Sequence, residues 1–159
     1  MSQFYSLPVA SVSRSTRDAV VVAFTVPEDL QDVFQFRPGQ YLTLRTHLDG
    51  QELRRSYSIC AAPHDRLLRV AINDGAFSTW ANSHLEAGAT LEVMPPDGNF
   101  TVDFDPSQAQ RYAAFAVGSG ITPILSLVKT ALDTEPKSTF TLFFGNRASS
   151  AIIFREEIE

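Results

Sequence analysis

The chain has 159 residues, 44% of them hydrophobic, with 18 acidic against 13 basic side chains and a formal net charge of −5. That length supports one good core or two small ones, and an acidic chain without a basic stripe argues against a nucleic-acid surface, which needs a cationic face. The N-terminus lacks a charged segment leading into an apolar run, and the most apolar stretch, 112–128, is broken by Gly118, Gly120 and Pro123, so no secretory leader and no membrane span are expected and the chain reads as cytoplasmic. The single cysteine, Cys60, cannot form an internal disulfide or a multi-cysteine metal site and reads as a small core residue.

Residues 4–13 and 19–26 carry β-branched and aromatic side chains on either side of polar 14–18, the pattern of a two-stranded hairpin. A connection over 27–36 leads to the turn Arg37-Pro38-Gly39-Gln40, where proline presets φ and glycine accepts a positive value. Residues 41–46 alternate as a strand, Asp49-Gly50 turns the chain, and a further strand carries Arg55. Strands at 67–72 and 90–94 follow, the second ended by Pro95-Pro96, with a short helix placed at 79–85 between them. About six short strands with one intervening helix predict a small antiparallel barrel.

Beyond polar, proline-bearing 105–110 the pattern changes, which sets the expected boundary between a domain at 1–106 and another at 107–159. The near-continuous apolar run 112–117, a glycine turn, helical spacing over 123–132 and a second buried strand at 139–144 predict a βαβ unit, with another helix starting at 151. The expected fold class is therefore β plus α/β: a six-stranded antiparallel barrel followed by the first part of a doubly wound parallel-sheet nucleotide-binding domain. Two strands leave such a sheet uncovered, so the chain is expected to be a fragment of a longer protein, or a short form covered by a partner chain.

Three stretches carry chemistry. Arg55, Tyr57 and Ser58 place a cation, a ring and a hydroxyl on one extended segment, with Arg55 and Tyr57 on one face. Arg55 can grip a pyrophosphate at two points, Tyr57 can lie on a flat heterocycle and Ser58 can hydrogen-bond a ring nitrogen, which suggests a flavin dinucleotide. A solvated arginine, a half-buried tyrosine and a turn-forming serine are the alternative. In Asp74-Gly75-Ala76-Phe77-Ser78 the amides of a helix start can cradle a pyrophosphate, with Ser78 adding a hydroxyl; otherwise this is a hairpin turn with Ser78 as N-cap. Gly118-Ser119-Gly120-Ile121-Thr122-Pro123 joins a buried strand to a helix, the context of a dinucleotide turn, although proline replaces the last glycine of the usual dehydrogenase pattern. Arg147, just past the second strand, favours the additional phosphate of NADPH over NADH. Trp80 reads as core, and His47, His64 and His84 have no ligand-like spacing, so no metal site is expected.

Arg55-Ser56-Tyr57-Ser58 resembles the Arg-x-Tyr-Ser motif of the ferredoxin-NADP reductase superfamily, and the other two motifs match it in the same order. Residues 54–60, 91–95, 118–123 and 144–147 are most similar to the family of reductase subunits of phenylacetyl-CoA epoxidase (monooxygenase) complexes. The resemblance implies that Arg55, Ser56, Tyr57, Ser58, Ile72, Gly75, Ala76, Phe77, Ser78 and Thr122 bind FAD. It implies that Gly118, Ser119, Gly120, Pro123, Asn146 and Arg147 bind NADPH, with Ser58 and Thr122 beside the reacting centre. It further implies electron transfer through a C-terminal 2Fe-2S domain to an oxygenase component in phenylacetate catabolism. That cluster needs four cysteines, and this chain has one. In one departure, no lysine stands between Ile72 and Gly75, which removes an auxiliary phosphate cation. Reduction of another acceptor (free flavin, ferric iron or a haem domain) and a flavin-holding or docking module without turnover remain as alternatives.

Overall fold

The computed structural model describes residues 3–159. β1 (Tyr5–Arg14) and β2 (Ala19–Phe24) form the expected hairpin. All six residues of β2, Ala-Val-Val-Val-Ala-Phe, are buried, because the strand has a core on each face. Val20, Val22 and Phe24 point into the first core, while Ala19 and Val21 point into the second. Period-two alternation thus assigns larger side chains to one core and smaller ones to a close neighbour on the other.

β3 (Tyr41–Leu48), β4 (Gln51–Ser58), β5 (Leu68–Asn73) and β6 (Thr90–Val93) complete a six-stranded antiparallel sheet in the order β4-β3-β6-β1-β2-β5. Its two edges meet where the chain leaves β4: Ile59 bridges Val70, and the Cys60 N–H donates to the Arg69 carbonyl at 2.9 Å. That contact curls the sheet into the expected barrel and leaves less open edge. α1 (Gly75–His84) packs across β5, β2 and β4, burying Phe77 and Ala81.

α1 begins at Gly75, four residues before the expected start at 79. Asp74 (φ 57°) and Gly75 (φ 80°) both take left-handed values, so the chain turns directly from β5 into the helix. The Gly75–Ser78 stretch is therefore the first turn of the helix rather than a loop ahead of it.

β7 (Arg111–Val117), α2 (Ile121–Thr134) and β8 (Thr139–Gly145) form the βαβ unit, with β7 and β8 parallel and in register from Arg111 opposite Thr139 to Val117 opposite Gly145. α2 buries Ile121, Ile124, Leu125 and Leu127 against Ala114 and Ala116 of β7. The same core takes in Ala19, Val21, Cys60 and Ala71 from the barrel, so the two units share one apolar interior. On the opposite face of the two-stranded sheet, Phe115 and Phe143 stack at 4.6 Å in solvent. The helix expected from 151 is a single 3-10 turn and then α3 (Arg155–Ile158), because Phe154 adopts a left-handed backbone (φ 60°) that interrupts it.

Candidate functional site

The end of β4 carries the first motif. Opposite it on β3, Leu42 pairs with Tyr57 and Tyr41 with Ser58. Leu53 and Tyr57 lean onto the barrel core, whereas Ser56 faces outward and shares a hydrogen bond of 2.9 Å with the Thr43 hydroxyl. The half-buried Tyr57 ring meets the edge of Phe77 at 5.9 Å, and Phe77 in turn meets Trp80 at 5.4 Å. Burial pushes the Tyr57 phenol up to about 12, so it is a neutral donor at physiological pH. Arg55 is exposed beside it, and its Nη1 donates to the Arg54 carbonyl at 2.7 Å.

The second motif, at the start of α1, lies against the first through the Tyr57–Phe77 contact. No side chain caps this helix, so the first-turn amides of exposed Gly75 and Ala76 are open to an external acceptor. Phe77 and Ile72 are fully buried and present almost no surface, side chain or main chain, to a ligand. Ser78 differs from expectation. Its hydroxyl is buried and donates to the Asp18 carbonyl at 3.1 Å, while the Asn82 amide donates to the Ser78 carbonyl at 3.0 Å. The side chain expected to face a pyrophosphate instead ties α1 to the β1–β2 turn. Sequence reasoning missed Asp18 and Asn82, and only the i, i+4 spacing of Ser78 and Asn82 hints at that link.

The third motif leaves β7 with Gly118 at φ 53° and makes one 3-10 turn into α2. Gly120 has ordinary helical angles (φ −60°), and a Cβ built there meets no atom within 4 Å. Neither conformation nor the protein's own packing calls for glycine at this position; the space in front of it fits a group that must approach the backbone. Thr122 is buried, with its hydroxyl donating to the Ser119 carbonyl at 2.9 Å. Because Val117 pairs with Gly145, Gly118 and Asn146 leave the sheet side by side. The Asn146 Oδ1 atom is buried without a hydrogen-bond partner, an orphaned acceptor beside the glycine turn, with exposed Arg147 next to it. A backbone cradle, an unpaired amide-oxygen acceptor and an exposed arginine together fit a nicotinamide dinucleotide.

The chain running on from Ser58 joins the two halves. Ile59, Cys60, Ala61 and Ala62 are all fully buried, Ile59 and Ala61 in the barrel core and Cys60 in the core that holds α2. There Ser126 donates to the Ala61 carbonyl at 2.6 Å, and Arg69 donates to the Cys60 carbonyl while forming a two-point ion pair with Glu157 at 2.8 and 2.9 Å. Burial pushes the Cys60 thiol up to about 12, consistent with its expected place in the core. Sequence reasoning also missed Ser126 and Arg69; a serine among apolar positions, four residues after Thr122, was the available signal.

The family described as Oxidoreductase FAD-binding domain matches residues 6–102, and the Oxidoreductase NAD-binding domain matches 115–159. The chain is 49% identical, over 161 aligned positions, to a component of the 1,2-phenylacetyl-CoA epoxidase of Escherichia coli (strain K12), covering 99% of this chain and 45% of that protein. It is 38% identical to the ferredoxin reductase component of 3-ketosteroid-9-alpha-monooxygenase of Rhodococcus rhodochrous, covering 96% and 44%. Among solved structures, phthalate dioxygenase reductase superposes with a TM-score of 0.80 at 27% identity, covering 98% of this chain and 47% of that one. The chain thus spans about half the length of the curated relatives it matches.

Proposed function

We propose, from the premise that this chain belongs to the oxidoreductase family that joins an FAD-binding domain to an NAD-binding domain, that it is the flavin-holding part of an NADPH-dependent reductase serving an oxygenase. Bound FAD supplies the exchange between the electron pair of a nicotinamide and single-electron steps. The chain's own residues bind and orient. Tyr57 offers a ring face and a neutral phenol, Arg55 offers charge to a pyrophosphate, and the amides of Gly75 and Ala76 offer donors where the macrodipole is positive. Ser58 and Thr122 stand on either side of the proposed reacting centre, Thr122 held by its bond to the Ser119 carbonyl. Gly118, Ser119, Gly120 and Pro123 form the cradle for NADPH, with Asn146 as an acceptor and Arg147 reaching its additional phosphate. The division at 1–106 and 107–159 follows from this assignment.

One observation carries the reading. The chain leaving Ser58 meets α2, the helix that opens with the Gly118–Thr122 turn, through the Ala61–Ser126 hydrogen bond, which supports one site built from both halves. Downstream, an iron–sulfur centre, which this one-cysteine chain cannot hold, would relay single electrons to an oxygenase component. Phenylacetyl-CoA epoxidation is the favoured case, because the Escherichia coli epoxidase component is 49% identical. Among the described residues no helix is long and apolar enough to cross a membrane, and we place the protein in the cytoplasm.

A second reading has its own observation. The exposed Phe115, Val117 and Phe143 leave one face of the nucleotide-binding half bare, which favours a flavin-holding module without turnover when the chain stands alone. Visible absorbance of the purified chain after incubation with FAD, followed by NADPH and then NADH with ferricyanide as acceptor, separates the readings. Flavin uptake with faster NADPH oxidation supports the first, and uptake without oxidation supports the second. Absence of uptake contradicts both.

A further inference from the structure

Ser126 is fully buried one helical turn after Thr122, so the two hydroxyls share a face of α2. Its Oγ donates to the Ala61 carbonyl across 2.6 Å, the one fully buried hydrogen bond between α2 and the barrel among the described residues. Ala61 lies three residues beyond Ser58 on the same run of main chain. From the other side, Arg69 donates to the Cys60 carbonyl at 3.2 and 2.7 Å, and the Cys60 N–H returns a bond to the Arg69 carbonyl at 2.9 Å. The segment after Ser58 is therefore held on both flanks. The small side chains Cys60, Ala61, Ala62 and Ser126 let helix and strand backbones approach closely. An alanine at 126 would fill nearly the same volume, so what the hydroxyl adds is direction. It fixes where along α2 the strand sits, and leaves no buried carbonyl unpaired.

We infer that Ser126 is a positioning residue, setting the register between the Ser58 strand and the Thr122 turn and so between the flavin and nicotinamide rings. This rests on the flavin reductase reading above. Oriented transfer is sensitive to such register, since a misplacement of about 1 Å can cost on the order of 100-fold in rate.

The test uses the full chain with spin labels at two exposed positions, Glu86→Cys on the barrel side and Lys137→Cys beyond α2; Cys60 is buried and stays unlabelled. Ser126→Leu is expected to move the label-to-label distance in the flavin-free chain by at least about 1 Å, a displacement large enough to disturb transfer. With FAD bound, Ser126→Ala should slow bleaching of the flavin at saturating NADPH about tenfold, and Ser126→Leu about 100-fold. Affinities for FAD and NADPH should stay within about twofold of the unaltered chain, because neither half-site is itself changed. Glu135→Gln, at the far end of the same helix, controls for simple destabilisation and should leave the bleaching rate alone. If Ser126→Leu does not fold, the Ser126→Ala rate and affinities decide. An unchanged rate in Ser126→Ala, an unmoved distance in a folded Ser126→Leu, or a parallel loss of FAD affinity would each overturn the inference while leaving the flavin reading standing. An unaltered chain that takes up no FAD, or holds FAD that NADPH does not bleach, removes the reductase reading and this role with it; in that case the distance still reports whether Ser126 sets the geometry.

Discussion

At the scale of single residues, Gly120 separates folding from binding. Its backbone is helical and the space a Cβ would occupy is open, so the fold itself does not call for glycine. Gly120→Ala is expected to raise stability by about 0.4–1 kcal/mol through the unfolded chain, while weakening NADPH binding by at least about tenfold as the methyl fills the cradle. Thermal unfolding and a nucleotide titration on the same variant check both signs. A stabilised variant with unchanged NADPH affinity would show that no phosphate comes close there. The positions of Arg55, Tyr57 and Gly120 were legible in the sequence because strand alternation and a strand–turn–helix context are local properties. The direction of the Ser78 hydroxyl was not, since its acceptor, Asp18, lies 60 residues away in sequence and is brought near only by the folding of the hairpin.

At the scale of elements, α1 joins the barrel to the first half of the site. Phe77 plugs the barrel beneath it and meets both Tyr57 and Trp80 edge to face, while its own amide lies in the uncapped first turn. Phe77→Ala is expected to cost about 3–5 kcal/mol by leaving a cavity in the core, and to loosen FAD because Tyr57 loses its backing. Denaturant unfolding with and without FAD measures both effects; a loss below about 1 kcal/mol would contradict the packing assigned to this ring. The sequence placed this helix but set its start four residues late, because a non-glycine residue at positive φ, Asp74, gives no compositional warning. The terminal helix failed in the same way at Phe154. The apolar spacing of α2 survived because it reports burial directly.

At the scale of the molecule, the barrel and the βαβ unit share one core, and a buried carboxylate ties the end of α2 to β7 and to the segment that leads into it. Glu135 is fully buried at the end of α2 and accepts from the Ser138 hydroxyl at 2.6 Å, the Asp105 N–H at 2.9 Å and the Tyr112 hydroxyl at 3.0 Å. These bonds, that of Ser138 foremost, hold its carboxyl below the usual carboxylate range against the opposing effect of burial. A carboxyl whose folded value is depressed contributes stability that is fully present above its unfolded value, roughly 4.3, and is lost as pH falls through the folded value. Unfolding followed from pH 7 into acid should therefore show a loss that Glu135→Gln reduces, with the variant less stable than the unaltered chain at neutral pH. Parallel pH profiles would remove the carboxylate from this account. The order of barrel and βαβ unit was readable from the change of hydrophobic period near 105–110. The shared interior was not, because its contributors, Ala19, Cys60, Ala71 and Ser126, are small residues that look unremarkable in sequence and matter only by allowing close approach.

The claim on which the rest depends is that a flavin lies on Tyr57 with its pyrophosphate against Arg55. Fluorescence titration of the purified chain with FAD tests it most directly, comparing the unaltered protein with Arg55→Ala. The account predicts saturable quenching of the flavin by the Tyr57 ring, with affinity reduced in Arg55→Ala by about 2 kcal/mol, the contribution of a charged hydrogen-bonded pair. Absence of saturable binding in excess FAD, or equal affinity in the two proteins, would contradict it.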